Sequence, residues 1–234
     1  MADIIVALDL DAVDDALRLV DRLGERVDFY KVAAPLFTRA GPGLVRTLRD
    51  LGRQVFLDLK FHDIPNTVAG AVAAARDLDV QLLTVHASGG EAMLRAAREA
   101  AGKAGPKLLG VTVLTSFTAQ GIGAVWGRAI DALPREVDRL ADMAADAQFD
   151  GVIASPLEVA ALKRRHGPAF LVVTPGIRPP GYAPADQARV ATPAAAARAG
   201  ADYLVIGRPV LEAADPVAVV ESVRADLAGV SAEA

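Results

Sequence analysis

Apolar residues in this chain fall into short aliphatic runs, and behind each run they recur at helical spacing. Ile4 to Asp9 (IIVALD) is the first run, after which Val13, Ala16, Leu17, Val20 and Leu23 share one helical face between Asp11 and Leu23. The same reading predicts strands at Val27–Val32, Gln54–Lys60, Gln81–His86, Lys107–Leu114, Asp150–Ala154, Ala169–Val173 and Asp202–Ile206. Helices are predicted over Pro35–Leu51 (interrupted by Gly41-Pro42-Gly43), Pro65–Leu78, Gly89-Gly90 to Ala101, Pro134–Gln148, Pro193–Ala199 and Pro216–Ala228. Another is expected to start at Ser155-Pro156, as N-cap and first turn. Gln120–Gly127 reads as a Gly-rich segment and TPGIRPPGYAPADQ as a long loop. Short aliphatic strands, each followed by a helix, suit a parallel sheet buried under helices. Without a composition break, the expectation is one α/β domain over residues 1–234, a (β/α)8 TIM barrel. An open doubly wound sheet is the alternative, but no GxGxxG follows the first strand.

Composition narrows the function classes. Hydrophobic residues make up 53 % of the chain, enough for a large core. The mean hydropathy is +0.31, yet no apolar run approaches the roughly 20 residues of a spanning helix. Absence of a basic segment followed by an apolar one predicts no secretory signal. With no cysteine there are no disulfides or thiolate metal sites, and a cytoplasmic location is expected. The net charge of −4 argues against a general nucleic-acid binder. With three histidines and no HxH or HExxH spacing, a histidine metal site has little support.

The chemistry is concentrated between Val55 and Val68, VFLDLKFHDIPNTV. Strand alternation puts Phe56, Asp58 and Lys60 on one face and Val55, Leu57 and Leu59 on the other. Asp63 follows where the chain turns ahead of Pro65. Two acids and a base at a strand end are costly to bury unless they neutralise each other. For DxKxxD alone, a structural ion pair is the plainer alternative. In an α/β barrel, however, chemistry lies at the carboxyl ends of the strands. Asp9, Lys31, Asp58, Lys60, Asp63, His86, Thr115, Ser116 and Arg208 all fall there. Gly207-Arg208 at the last strand has the make-up of a phosphate site: a glycine for close approach and a guanidinium fork. His86, before Gly89-Gly90, reads equally as an acid–base group or as a hydrogen-bonded structural histidine.

Seven segments carry a resemblance over nearly the whole chain: ALD (7–9), FYKV (29–32), FLDLKFHDIPNT (56–67), TVHASGG (84–90), GVTVLTS (110–116), TPGIRP (174–179) and IGRP (206–209). In these the chain resembles the bacterial orotidine 5′-phosphate decarboxylases. The resemblance implies loss of CO₂ from orotidine monophosphate to give uridine monophosphate, with no cofactor and no metal. By position, Lys60 would be the proton donor and Asp58 would lie near the departing carboxylate. Lys31 and Asp63 would complete an alternating charge array. Asp9 and Lys31 would contact ribose, as would Asp63 and Thr67 reaching in from the second subunit of a homodimer. Thr115 and Ser116 would face the pyrimidine, and Gln187, Arg208 and the Gly207 backbone would hold the phosphate. Arg178 would sit in a ligand-gripping loop, residues 175–189, whose closure phosphate binding could drive. Two other readings compete: a metal-dependent phosphosugar enzyme using a similar DxKxxD with Mg²⁺, and a non-catalytic nucleotide-binding barrel.

Overall fold

Alternation along each run sorts its residues to the two sides of a closed sheet. The computed structural model describes residues 2–179, 182 and 189–232. Its strands are β1 (Asp3–Ala7), β2 (Phe29–Ala33), β3 (Gln54–Phe61), β4 (Leu82–His86), β5 (Lys107–Val111), β6 (Gly151–Ile153), β7 (Leu171–Thr174) and β8 (Tyr203–Ile206). They are parallel, run in sequence order, and close through four residue pairs between β1 and β8, from Asp3↔Tyr203 to Val6↔Ile206. The expected barrel is therefore what forms, and the open sheet is excluded.

The helices are α1 (Val13–Leu23), α2 (Ala34–Ala40), α3 (Pro42–Asp50), α4 (Pro65–Arg76), α5 (Glu91–Ala101), α6 (Ala119–Trp126), α7 (Leu133–Asp146), α8 (Val159–His166), α9 (Pro193–Arg198), α10 (Arg208–Leu211) and α11 (Pro216–Ala232). Two cores result. Outward-facing residues such as Ile4, Val6, Val55, Leu57 and Leu83 pack beneath the helices. Inward-facing Ile5, Ala7, Phe29, Phe56, Leu82, Leu109, Val173 and Val205 fill the barrel. The interior is thus a packed apolar plug, and the polar site must sit above it.

Four local features depart from the pattern reading. β5 ends at Val111 rather than Leu114: its neighbour β6 stops at Ile153, whose carbonyl accepts both the Thr112 hydroxyl at 2.9 Å and the Thr112 N–H at a long 3.4 Å. The Gly-rich segment contains helix α6, opened by Thr118, whose hydroxyl accepts the Gly121 N–H, and ended by Gly127 at φ +63°. Ser155-Pro156 does not open α8. Glu158 accepts the Ser155 N–H at 2.7 Å and Ser155 Oγ accepts from Leu157, so a turn precedes the helix at Val159. Finally, Arg208 is the first residue of a short helix, α10, that the pattern did not predict.

Candidate active site

The alternation that fills the barrel also delivers the polar residues. Above Ile5 and Ala7 comes Asp9, above Phe29 comes Lys31, above Phe56 comes Asp58, and above Val205 comes Gly207. These converge on a cavity of about 230 Å³ at the carboxyl ends of the strands. Asp9, Lys31, Asp58, Lys60, Thr115, Arg178, Gly207 and Arg208 line it, against an apolar wall that includes Phe56, Val111, Ile153 and Val205.

Four of these side chains form a continuous alternation of charge. Lys31 Nζ donates to Asp9 Oδ1 at 2.9 Å and lies 3.6 Å from Asp58 Oδ2. Lys60 Nζ donates to both Asp58 oxygens at 2.8 Å. Asp58 is only 8 % exposed, a depth at which an unpaired carboxylate costs several kcal/mol. Burial pushes its pKa up, but the Lys31 and Lys60 charges and the hydrogen bonds from Lys60 and Thr84 outweigh burial. Its pKa therefore lies below the ordinary carboxylate value, and the group is an anion at neutral pH.

This geometry depends on an irregularity in β3. Leu57 pairs with Leu83 and Phe61 with Val85, so Asp58, Leu59 and Lys60 together face the single residue Thr84. Lys60 adopts φ +50°, a left-handed conformation that costs a non-glycine residue about 1–3 kcal/mol. Thr84 is fully buried; its hydroxyl accepts the Lys60 N–H and donates to Asp58 Oδ1, both at 2.9 Å. Sequence reasoning missed Thr84, although it is the one hydroxyl in LLTVH and lies in the inward phase of Leu82 and His86.

A second missed element braces the opposite wall. Arg189 pairs with buried Glu158 and donates to the Val113 and Leu114 carbonyls at 3.2 and 3.3 Å, next to Thr115. Burial raises the Glu158 pKa in spite of the Arg189 charge. Arg178 is buried in the cavity wall and donates to the Ile177 carbonyl at 2.9 Å.

Other predicted site residues lie elsewhere. Asp63 and Thr67 are exposed and do not line the cavity of their own chain, and the Asp63 carboxylate accepts the Ile64 N–H at 2.6 Å. Ser116 is exposed and also outside the cavity lining. Gln187, and most of the 175–189 loop, fall outside the described residues. His86 stands at the rim with its ring 5.3 Å from that of His62. Burial, then the His62 and Lys60 charges, lower its pKa, leaving it neutral at pH 7.

The family model described as "Orotidine 5'-phosphate decarboxylase / HUMPS family" matches residues 2–223. The chain belongs to this family. It is 49 % identical to the orotidine 5′-phosphate decarboxylase of Dichelobacter nodosus over 226 residues, covering 96 % of this chain and 98 % of that protein. Identity to the orotidine 5′-phosphate decarboxylase of Pseudomonas fluorescens is 50 % over 229 residues, covering 96 % and 97 %. Among solved structures it is similar to orotidine 5′-phosphate decarboxylase from Lactobacillus acidophilus, with a TM-score of 0.86, 38 % identity and coverage of 97 % and 99 %. Within the motif that carries the resemblance to the decarboxylase family, FLDLKFHDIPNT, the first half builds the cavity and the second half runs over the surface.

Proposed function

We propose that this protein decarboxylates orotidine 5′-monophosphate to uridine 5′-monophosphate, using side chains alone. One observation carries the reading: the Lys60 ammonium is held on the buried Asp58 carboxylate inside a cavity that also contains Arg208. Breaking the bond from C6 to the carboxylate carbon leaves its electron pair on C6, which has no conjugated sink. A fixed ammonium beside that carbon stabilises the developing charge and supplies the proton as CO₂ departs. Lys60 takes that role, and Asp58 lies beside the departing carboxylate and orients Lys60. Asp9 and Lys31 hold the ribose hydroxyls, and Thr115 faces the pyrimidine with Ser116 next to it. The phosphate goes to Gln187, Arg208 and the Gly207 backbone, with Arg178 in the gripping loop.

Asp9 and Asp58 each already have an ammonium partner, which favours a metal-free reaction over the Mg²⁺-dependent alternative. Among the described residues, no group of three or more His, Cys, Asp or Glu is placed to hold a metal ion. The whole chain, residues 1–234, serves as one cytoplasmic barrel domain. Among the described residues no helix is long and apolar enough to cross a membrane. It works as a homodimer: Asp63 and Thr67 lie exposed beside the 67 % exposed Ile64, where a second copy would cover them and receive their polar groups.

The deciding experiment follows the absorbance of orotidine monophosphate with purified, chelator-treated protein. Full turnover in EDTA is the expected result. Loss of activity restored by Mg²⁺ would favour the phosphosugar type of chemistry, and tight product binding without turnover would make the barrel a binding protein.

Arg208→Ala separates the phosphate from the chemistry. A charge-assisted contact of this kind contributes about 1.5–3 kcal/mol, so kcat/KM for the nucleotide should fall about 10- to 100-fold. The slow reaction of the nucleoside lacking phosphate should hardly change. Equal losses for both substrates would show that Arg208 does not act through the phosphate.

A further inference from the structure

In a regular strand, residues two apart share a face but stand about 6.5 Å apart along the chain. The β3 bulge replaces that spacing, turning the chain at Lys60 and folding its ammonium back onto Asp58. A bulge also takes the Lys60 N–H out of the ladder, and this half-buried N–H needs another acceptor. That acceptor is the Thr84 hydroxyl, which passes its own hydrogen to Asp58 Oδ1. Thr84 therefore bonds the backbone of one member of the Lys60–Asp58 pair and the side chain of the other.

We propose that Thr84 is a positioning residue for the decarboxylation step, fixing the Lys60 ammonium against Asp58 through its hydroxyl. The inference rests on the role assigned to Lys60 above. Thr84 does not line the cavity, so it acts only through the two residues it holds. Its whole contribution lies in one oxygen, because a valine has the same shape and occupies the same space. Removing that oxygen leaves the Lys60 N–H without its acceptor and Asp58 short of a donor. The left-handed turn then relaxes, and the ammonium moves relative to C6.

The test compares Thr84→Val, which deletes the hydroxyl at constant shape, with Thr84→Ser, which keeps it. For Thr84→Val, kcat should fall about 10- to 100-fold, the scale of a misplacement near 1 Å, while KM stays within about threefold. Thr84→Ser should recover most of the lost kcat. The proposal is overturned if Thr84→Val keeps kcat within about twofold of the wild type, or if the serine variant is as slow as the valine one. A rise in KM at constant kcat overturns it too, since that would place Thr84 in substrate binding. Thermal melting monitors folding, and Thr84→Ala deletes the same hydroxyl should the valine variant fail to fold. Wild-type turnover in the same assay reports on the functional reading itself, so a defect confined to the variants lacking the hydroxyl concerns Thr84 alone.

Discussion

Lys60→Ala should abolish nearly all turnover while leaving product affinity within a few-fold of the wild type. Loss of a general acid alone accounts for roughly 10²- to 10⁴-fold, and loss of the positive charge beside the carbanion adds to it. The structure sharpens this expectation. The lysine is fixed by two 2.8 Å bonds to a single carboxylate, so its ammonium is set in place before substrate arrives. In the variant, Lys31 still faces Asp58 at 3.6 Å, so the buried carboxylate keeps a partner and the fold should persist. Steady-state rates with orotidine monophosphate check the first part, and titration with uridine monophosphate checks the second. A variant retaining more than about a tenth of the wild-type rate, a barrier change of only about 1.4 kcal/mol, would remove Lys60 from the chemistry.

A mixture of two inactive homodimers should regain activity. Asp63 belongs to the motif that builds the cavity, yet its carboxylate lies outside that cavity, on the exposed approach to α4. In the homodimer proposed above, the exposed Asp63 carboxylate of each subunit would reach the Lys60 of the other. Asp63→Ala and Lys60→Ala homodimers are each expected to be severely impaired. Once subunits exchange, a mixed dimer has one site with both lesions and one with neither, giving about half the wild-type activity per mixed dimer by symmetry alone. Mass spectrometry verifies the exchange. If exchange is complete and the rate stays at the level of the separate variants, the shared-site arrangement is wrong.

Much of the fold was legible because alternation in a barrel strand has a single inward phase. Ile5 and Ala7 lead to Asp9, and Phe29 leads to Lys31, so an aliphatic pattern pointed to the polar mouth before any geometry was known. The eight-fold repeat of strand and helix likewise left little choice of architecture. What stayed hidden was decided by side chains acting on the backbone. The Thr112 hydroxyl shares the Ile153 carbonyl with its own N–H where β5 stops, and Thr118 starts a helix in sequence that glycine made look irregular. The β3 bulge has no periodic signature, since Asp58 and Lys60 would share a face with or without it. Its marker, Thr84, lies 24 residues beyond Lys60 on another strand. Asp63 shows the limit of reading by motif, because DxKxxD groups three residues of which this chain's cavity uses two.

The seam between β1 and β8 bears on how such a site comes into being during synthesis. Asp9 emerges almost first and Arg208 almost last, yet a side-chain carbon placed on Gly207 would lie 3.6 Å from Asp9 Oδ2. The half of the cavity bearing Lys31, Asp58 and Lys60 is made early, and the half assigned to phosphate is made nearly 150 residues later. Neither half is a site until the last strand docks against the first. This ring closure joins residues 200 apart, from Asp3 to Tyr203, and so pairings of this kind form late and slowly in folding. A nucleotide spanning both halves binds only the closed ring, and mass action then makes the substrate a clasp across the joint between the two ends of the chain.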